Sequence, residues 1–216
     1  MKQTRTTLLT VLFLISALLP SLAQAQAIWT EVGDAGHLIS TAQSTAGTGP
    51  LLSIEGDIWP VDEVWDVDIY CIDITDPTHF SATLGASPDG TEYNPLFLFS
   101  SNPLGSGVTV QEGFYAGPTP TLITGQFVTT PGIYYLAIGM HDLYPLDSAS
   151  APLWSFISGI EQAPTNLNPL HEWWITGGNW QYGAYTIFLT GAEHANCEDA
   201  TASESTNWGS LKTDYR

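Results

Sequence analysis

Between Arg5 and Lys212 the sequence has no lysine and no arginine, yet all of its 22 acidic residues except Asp214 fall in that interval. The absence excludes two partner classes. Nucleic acid and anionic membrane surfaces are bound through Lys and Arg that neutralise phosphates, and a chain of formal net charge −18 is repelled by both. It also removes the ordinary ion-pair partners of carboxylates, which are left with water, backbone N–H groups, protonation or bound cations. Cysteine is scarce too: Cys71 and Cys197 are the only two. A single bridge between a central strand and the C-terminal region is permitted in an exported chain, the alternative being two free thiols. Long apolar runs are missing. The stretch from Leu8 to Leu19 is shorter than the ~20 residues of a spanning helix. Lying between Lys2, Arg5 and an Ala23-Gln24-Ala25 cleavage site, it reads as the core of a secretory signal peptide over 1–25. No second such run follows, so no transmembrane segment is expected, and the protein is expected to be exported, extracellular or at a bacterial cell surface.

What is present points to strands. Twenty glycines and 14 prolines punctuate the chain, and no stretch sustains a helical apolar period. Alternating runs at Leu51 to Ile58, Trp65 to Ile74, His79 to Leu84, Leu96 to Ser100, Leu122 to Thr129, Gly132 to Gly139 and Ala184 to Thr190 predict an all-β, antiparallel, jelly-roll-like β-sandwich in one domain over 26–193. Asn102 to Pro120 reads as a connection, with a turn at Leu104-Gly105-Ser106-Gly107. Residues 194–216 read as a polar, flexible tail. Its end holds Lys212 and Arg216 beside Trp208 and Tyr215, either a sorting or docking segment or a frayed terminus.

Asp66, Asp68 and Tyr70 alternate along one run. On a strand they share a face at spacings of about 6.6–6.8 Å, within reach of one hard cation whose oxygen ligands sit at about 2.3–2.6 Å. Glu31, Asp34 and Asp57 upstream could complete a calcium site. The competing reading is a pair of exposed carboxylates on the solvent face of an edge strand. EF-hand and HExxH motifs are absent, since His171-Glu172 lacks a second histidine. No G-x-S-x-G elbow occurs, the five histidines are scattered, and nothing singles out a carboxylate pair for glycoside cleavage. A secreted hydrolase is thus the weakest reading, and no catalytic residue is assigned. The excursion from His141 to Gln181 gathers Trp154, Trp173, Trp174 and Trp180, with Tyr144 and Tyr182 nearby. These rings suit a glycan- or protein-binding surface, or a hydrophobic lid over one end of the sandwich.

The runs Glu31-Val32-Gly33-Asp34-Ala35-Gly36, Thr41-Ala42-Gln43, Asp66-Val67-Asp68-Ile69-Tyr70, Pro131-Gly132-Ile133-Tyr134-Tyr135 and Gly183-Ala184-Tyr185-Thr186-Ile187-Phe188-Leu189-Thr190-Gly191-Ala192 together resemble the bacterial pre-peptidase C-terminal (PPC) domain of exported proteins. The resemblance covers nearly the whole body in order. It implies a non-catalytic jelly-roll-like module, similar to the calcium-dependent collagen-binding modules of clostridial collagenases. By position Glu31 and Asp34 match the acidic calcium-binding segment, and Asp66 and Asp68 match the acidic strand. Where the family has an Asp before its Leu-Phe-Leu-Phe strand and an Asn-Asp-Asp turn after it, this chain has Tyr93-Asn94-Pro95 and Val110-Gln111-Glu112-Gly113. The expectation is an exported, calcium-stabilised module that binds an extracellular glycan or protein. The alternative is a self-associating subunit of a surface layer or filament.

Overall fold

Val67–Ile74 carries large side chains at both sets of alternating positions, so the strand it forms must be covered on both faces, and it is. Only Asp73 in this strand escapes full burial. The computed structural model describes residues 27–60, 66–113, 120–155, 159–175 and 181–197. The expected signal peptide, Trp65, Trp180, Lys212 and Arg216 lie outside the described residues.

Within them the strands are β1 (Ile28–Thr30), β2 (Gln43–Ser44), β3 (Ser53–Ile58), β4 (Val67–Ile74), β5 (Ser81–Leu84), β6 (Leu96–Ser101), β7 (Leu104–Gln111), β8 (Leu122–Thr124), β9 (Gly132–Gly139), β10 (Leu143–Leu146), β11 (Glu172–Ile175), β12 (Gly183–Thr190) and β13 (Ala192–His194). One sheet runs β1-β3-β12-β5-β8. The other runs β13-β4-β9-β6-β7, with β2 also on β4, and β10 and β11 form a separate pair. The chain is an all-β sandwich. It is not wholly antiparallel, because β1 pairs with β3 and β2 with β4 in parallel. These two short N-terminal strands lie along existing strands and cover backbone that would otherwise stay open.

Two cores follow from the alternation of β4. Tyr70, Ile72 and Ile74 face the first, between the sheets, with Ile54, Leu84, Leu98, Leu136 and Ile187. Val67, Ile69 and Cys71 face the second, where the excursion packs on the outer side of the second sheet. There Trp154 meets Phe97 and Phe99 at ring separations of 5.9 and 5.7 Å, and Trp173 meets them at 5.1 and 6.2 Å. These are ordinary tilted and edge-on aromatic contacts. The described part of the excursion is therefore a third layer on the outer face of the second sheet, rather than a lid over one end of the sandwich.

Three sequence expectations need correction. Leu104 to Gln111 is strand β7 and not a turn in a connection, because irregular register against β6 accommodates its Gly-Ser-Gly stretch. Leu122 to Thr129 is a strand only to Thr124, after which Gly125–Phe127 forms a 3-10 turn. Residues 194–197 are not part of a loose tail. β13 pairs with β4, Ala195 N donates to Thr45 Oγ1 at 3.1 Å, Cys197 N donates to Ser44 Oγ at 2.9 Å, and Cys197 is bridged to Cys71 with a Cα–Cα separation of 6.3 Å.

The excursion is held by one buried carboxylate. Asp147 Oδ1 accepts from Ala149 N and Ala151 N at 2.8 and 2.9 Å, and Oδ2 accepts from Asn166 Nδ2 and Asn168 Nδ2 at 2.8 and 2.7 Å. The Asn168 and Asn166 amides, and then the Ala151 N–H, hold its carboxyl well below the usual carboxylate range. A depressed carboxylate contributes stability above its unfolded pKa of about 3.9 and loses it as pH falls toward the folded value. Wild-type melting temperature is thus expected to fall below about pH 4 more steeply than that of Asp147→Asn, which has no charge there to lose. Parallel pH profiles for the two proteins would refute this role.

Candidate metal centre

The acidic segment is positioned from both sides. β1 delivers it along the edge of the first sheet, where Glu31 N donates to Glu55 O at 2.8 Å. Gln43, next to β4, then clamps it. Its Oε1 accepts from Trp29 Nε1 and Val32 N at 2.8 and 3.1 Å, and its Nε2 donates to Val32 O at 2.9 Å. The segment turns at Asp34, whose Oδ1 accepts from Gly36 N at 3.1 Å in the manner of an Asx turn. Gly36 has a φ of +73°, and a side chain there would collide with Thr41. Ala35 is fully buried, and Gly36 O accepts from Ile69 N of β4 at 3.1 Å. The segment therefore crosses from one sheet to the other.

This crossing brings carboxylates together. Ligand oxygens of Glu31, Asp34 and Asp68 lie within 4.8 Å of one another. Two oxygens on opposite sides of a calcium ion are about 4.6–5.2 Å apart, twice the usual Ca–O distance, so the set has the right span. Its chemistry also fits a hard cation, since it offers only carboxylate oxygen. Asp68 has no exposed surface, and its Oδ2 accepts from Tyr185 Oη at 2.7 Å. Tyr70 Oη lies 2.6 Å from Tyr185 Oη. With Asp68 ionised, the Tyr185 proton points to Asp68 and Tyr70 donates to Tyr185. Burial, and then the charge of Asp68, pushes both phenols well above their usual pKa, so both remain neutral donors. Glu31 Oε2 accepts from Asp57 N at 3.0 Å. Gly56 makes the arrangement possible, because a Cβ there would overlap the Tyr185 hydroxyl and lie 2.7 Å from Glu31 Oε2. A groove lined by Thr30, Glu31, Gly56, Asp57 and Tyr185 opens beside the group.

Of the residues expected from sequence, Glu31, Asp34 and Asp68 converge. Asp66 is placed otherwise: its Oδ2 accepts from Trp59 N at 2.7 Å, fastening the end of β3 to the start of β4. Trp154 is only 1% exposed, so as a binding face it is corrected to a core ring, drawn under the excursion by Phe97 and Phe99. Trp173 is half-buried and donates from Nε1 to His37 O at 2.6 Å, whereas Trp174 is 54% exposed. Tyr182 lies against Trp59 at 5.1 Å.

Gln43, Tyr185 and Gly56 were not singled out for a site role from sequence. For Tyr185 a signal existed, since alternation in β12 puts it on the inward face beside Tyr70 and Asp68. A second group, Glu112, His141 and Asp142, also has ligand atoms within 4.8 Å of one another. His141 Nε2 is 3.4 Å from Glu112 Oε1, and burial raises the Glu112 pKa. The adjacency of His141 and Asp142 hinted at it, but the approach of Glu112 from the end of β7 did not show. No family model matches the chain, and no curated protein and no solved structure matches it either; what the site can do follows from its own geometry.

Proposed function

We propose that this chain is an exported, non-catalytic β-sandwich module of the PPC type that holds calcium through Glu31, Asp34 and Asp68 and binds an extracellular polymer. The observation that carries the cation reading is the convergence of those three carboxylates, one of them fully buried, in a body without lysine or arginine. A divalent cation supplies charge neutralisation there. The chain's own residues do the rest: Gln43 fixes the segment, Asp34 turns it, Tyr185 orients Asp68, and Gly56 leaves room for Glu31. A cation-fastened N-terminal segment would stiffen the sandwich edge from which β1 departs, which suits a module exposed to an extracellular setting. Thermal melting in millimolar calcium and in excess chelator tests the reading. The midpoint is expected to be higher in calcium, because a ligand bound to the native state alone adds stability. Identical midpoints would overturn it.

A further inference from the structure

The β10–β11 pair carries a site of different chemistry. Along β11, Trp173 and Ile175 pack on the second core, while Glu172 and Trp174 are exposed. The register sets Tyr144 opposite Trp174 and Leu146 opposite Glu172, with the Tyr144 and Trp174 rings 6.2 Å apart. Ser150 Oγ donates to Glu172 Oε1 at 2.8 Å. Ser150 adopts a φ of +56°, a conformation uncommon for a non-glycine residue, and so delivers its hydroxyl to the carboxylate. Leu146, Ser150, Glu172, Trp173 and Trp174 line a recess that combines an aromatic face, an apolar side and one oriented carboxylate.

We propose that this recess binds a cationic side chain, lysine ammonium or arginine guanidinium, presented by a basic protein partner. Tryptophan is the strongest aromatic acceptor of a cation, and a carboxylate beside it adds a charge-assisted hydrogen bond. The formal charge of −18 concentrates cations around the chain, and no lysine or arginine between Arg5 and Lys212 competes for the recess. A neutral sugar gains nothing from that charge. It would also find few polar groups, because Trp173 Nε1 is committed to His37 O and the Ser150 hydroxyl, the Glu172 carboxylate and the Trp174 indole N–H are the polar groups that remain in the lining. The inference names the partner class of the binding-module reading and rests on it, but none of its residues belongs to the carboxylate group at Asp68.

Calorimetric titration at about 0.15 M salt, where surface charges are screened beyond ~8 Å, tests it with three probes: a glycine-spaced tri-lysine peptide, the same peptide with norleucine for lysine, and chitohexaose. Saturable binding of the lysine peptide alone is expected. Trp174→Ala and Glu172→Gln should each weaken it about tenfold or more, while Trp59→Ala, at an exposed tryptophan elsewhere, leaves it unchanged. Both side chains in the recess are exposed, and matching melting curves verify that the variants fold. Equal affinity in all variants would overturn the site in favour of diffuse attraction to an acidic surface. Chitohexaose binding that is lost in Trp174→Ala would overturn the cationic class. No binding of any probe by a protein that still melts higher in calcium sinks this inference alone; loss of both results sinks the module reading with it.

Discussion

Asp68→Asn is expected to abolish the calcium-dependent rise in melting temperature while leaving the chelated protein at least as stable as wild type. With calcium at about a thousandfold over its dissociation constant, binding adds about 4 kcal/mol, or about 8–16 °C for a domain of this size. In Asp68→Asn the difference should shrink to about 2 °C or less. The behaviour in chelator follows from electrostatics. Two carboxylates within 4.8 Å of each other, as in this group, repel by about 3.5 kcal/mol or more at an effective dielectric constant of about 20. Asp68 moreover sits without solvent exposure, where an ionised group is costly. Asparagine removes that charge and keeps an oxygen to accept from Tyr185, so the cation-free fold loses little. Asp66→Asn is the control: its carboxylate caps Trp59 N outside the converging group, and the calcium shift should persist. A variant at Asp68 that loses as much stability in chelator as in calcium would show Asp68 to be structural only.

The strand pattern was legible because alternation is a local property. It set Asp68 and Tyr70 on one face of β4, in line with Asp66 just before it, without telling which face looked inward, since the other face, with Val67, Ile69 and Cys71, is also buried. That ambiguity is why the carboxylates could be read as solvent-facing. Glu31 and Asp34 were legible as oxygen donors upstream of the strand, but what brings them to Asp68 was not. Gln43 acts through hydrogen bonds to residues 11 and 14 positions away, which no periodicity records. Within the excursion, Trp154 and Trp174 look alike in composition and have opposite fates. Trp174 is turned outward by the pairing of β10 with β11 across a gap of more than 20 residues, whereas Trp154, outside that pair, packs against Phe97 and Phe99. β7 was missed because glycine and serine read as turn residues, while its bulged pairing with β6 is set by the partner strand.

Gly56→Ala is expected to weaken calcium binding by about tenfold or more, with a general destabilisation of about 1–3 kcal/mol from overpacking. Gly56 stands opposite Tyr185 in the β3–β12 register, and an added Cβ would lie 2.7 Å from both Tyr185 Cζ and Glu31 Oε2. The two neighbours can respond differently. Tyr185 is 3% exposed and fixed through its hydroxyl to Asp68 and Tyr70, so its ring cannot retreat without breaking that chain. Glu31 is a flexible side chain at the rim of the groove, and it should yield by leaving Asp57 N and the carboxylate group. Displacing Glu31 costs the cation site a ligand, whereas crowding the Tyr185 ring costs stability under every condition. The two effects separate in one experiment: melting curves of wild type and Gly56→Ala across a calcium titration. A constant offset at all calcium concentrations would mean that Gly56 serves packing alone, and an offset that widens as calcium rises would tie it to Glu31 and the cation.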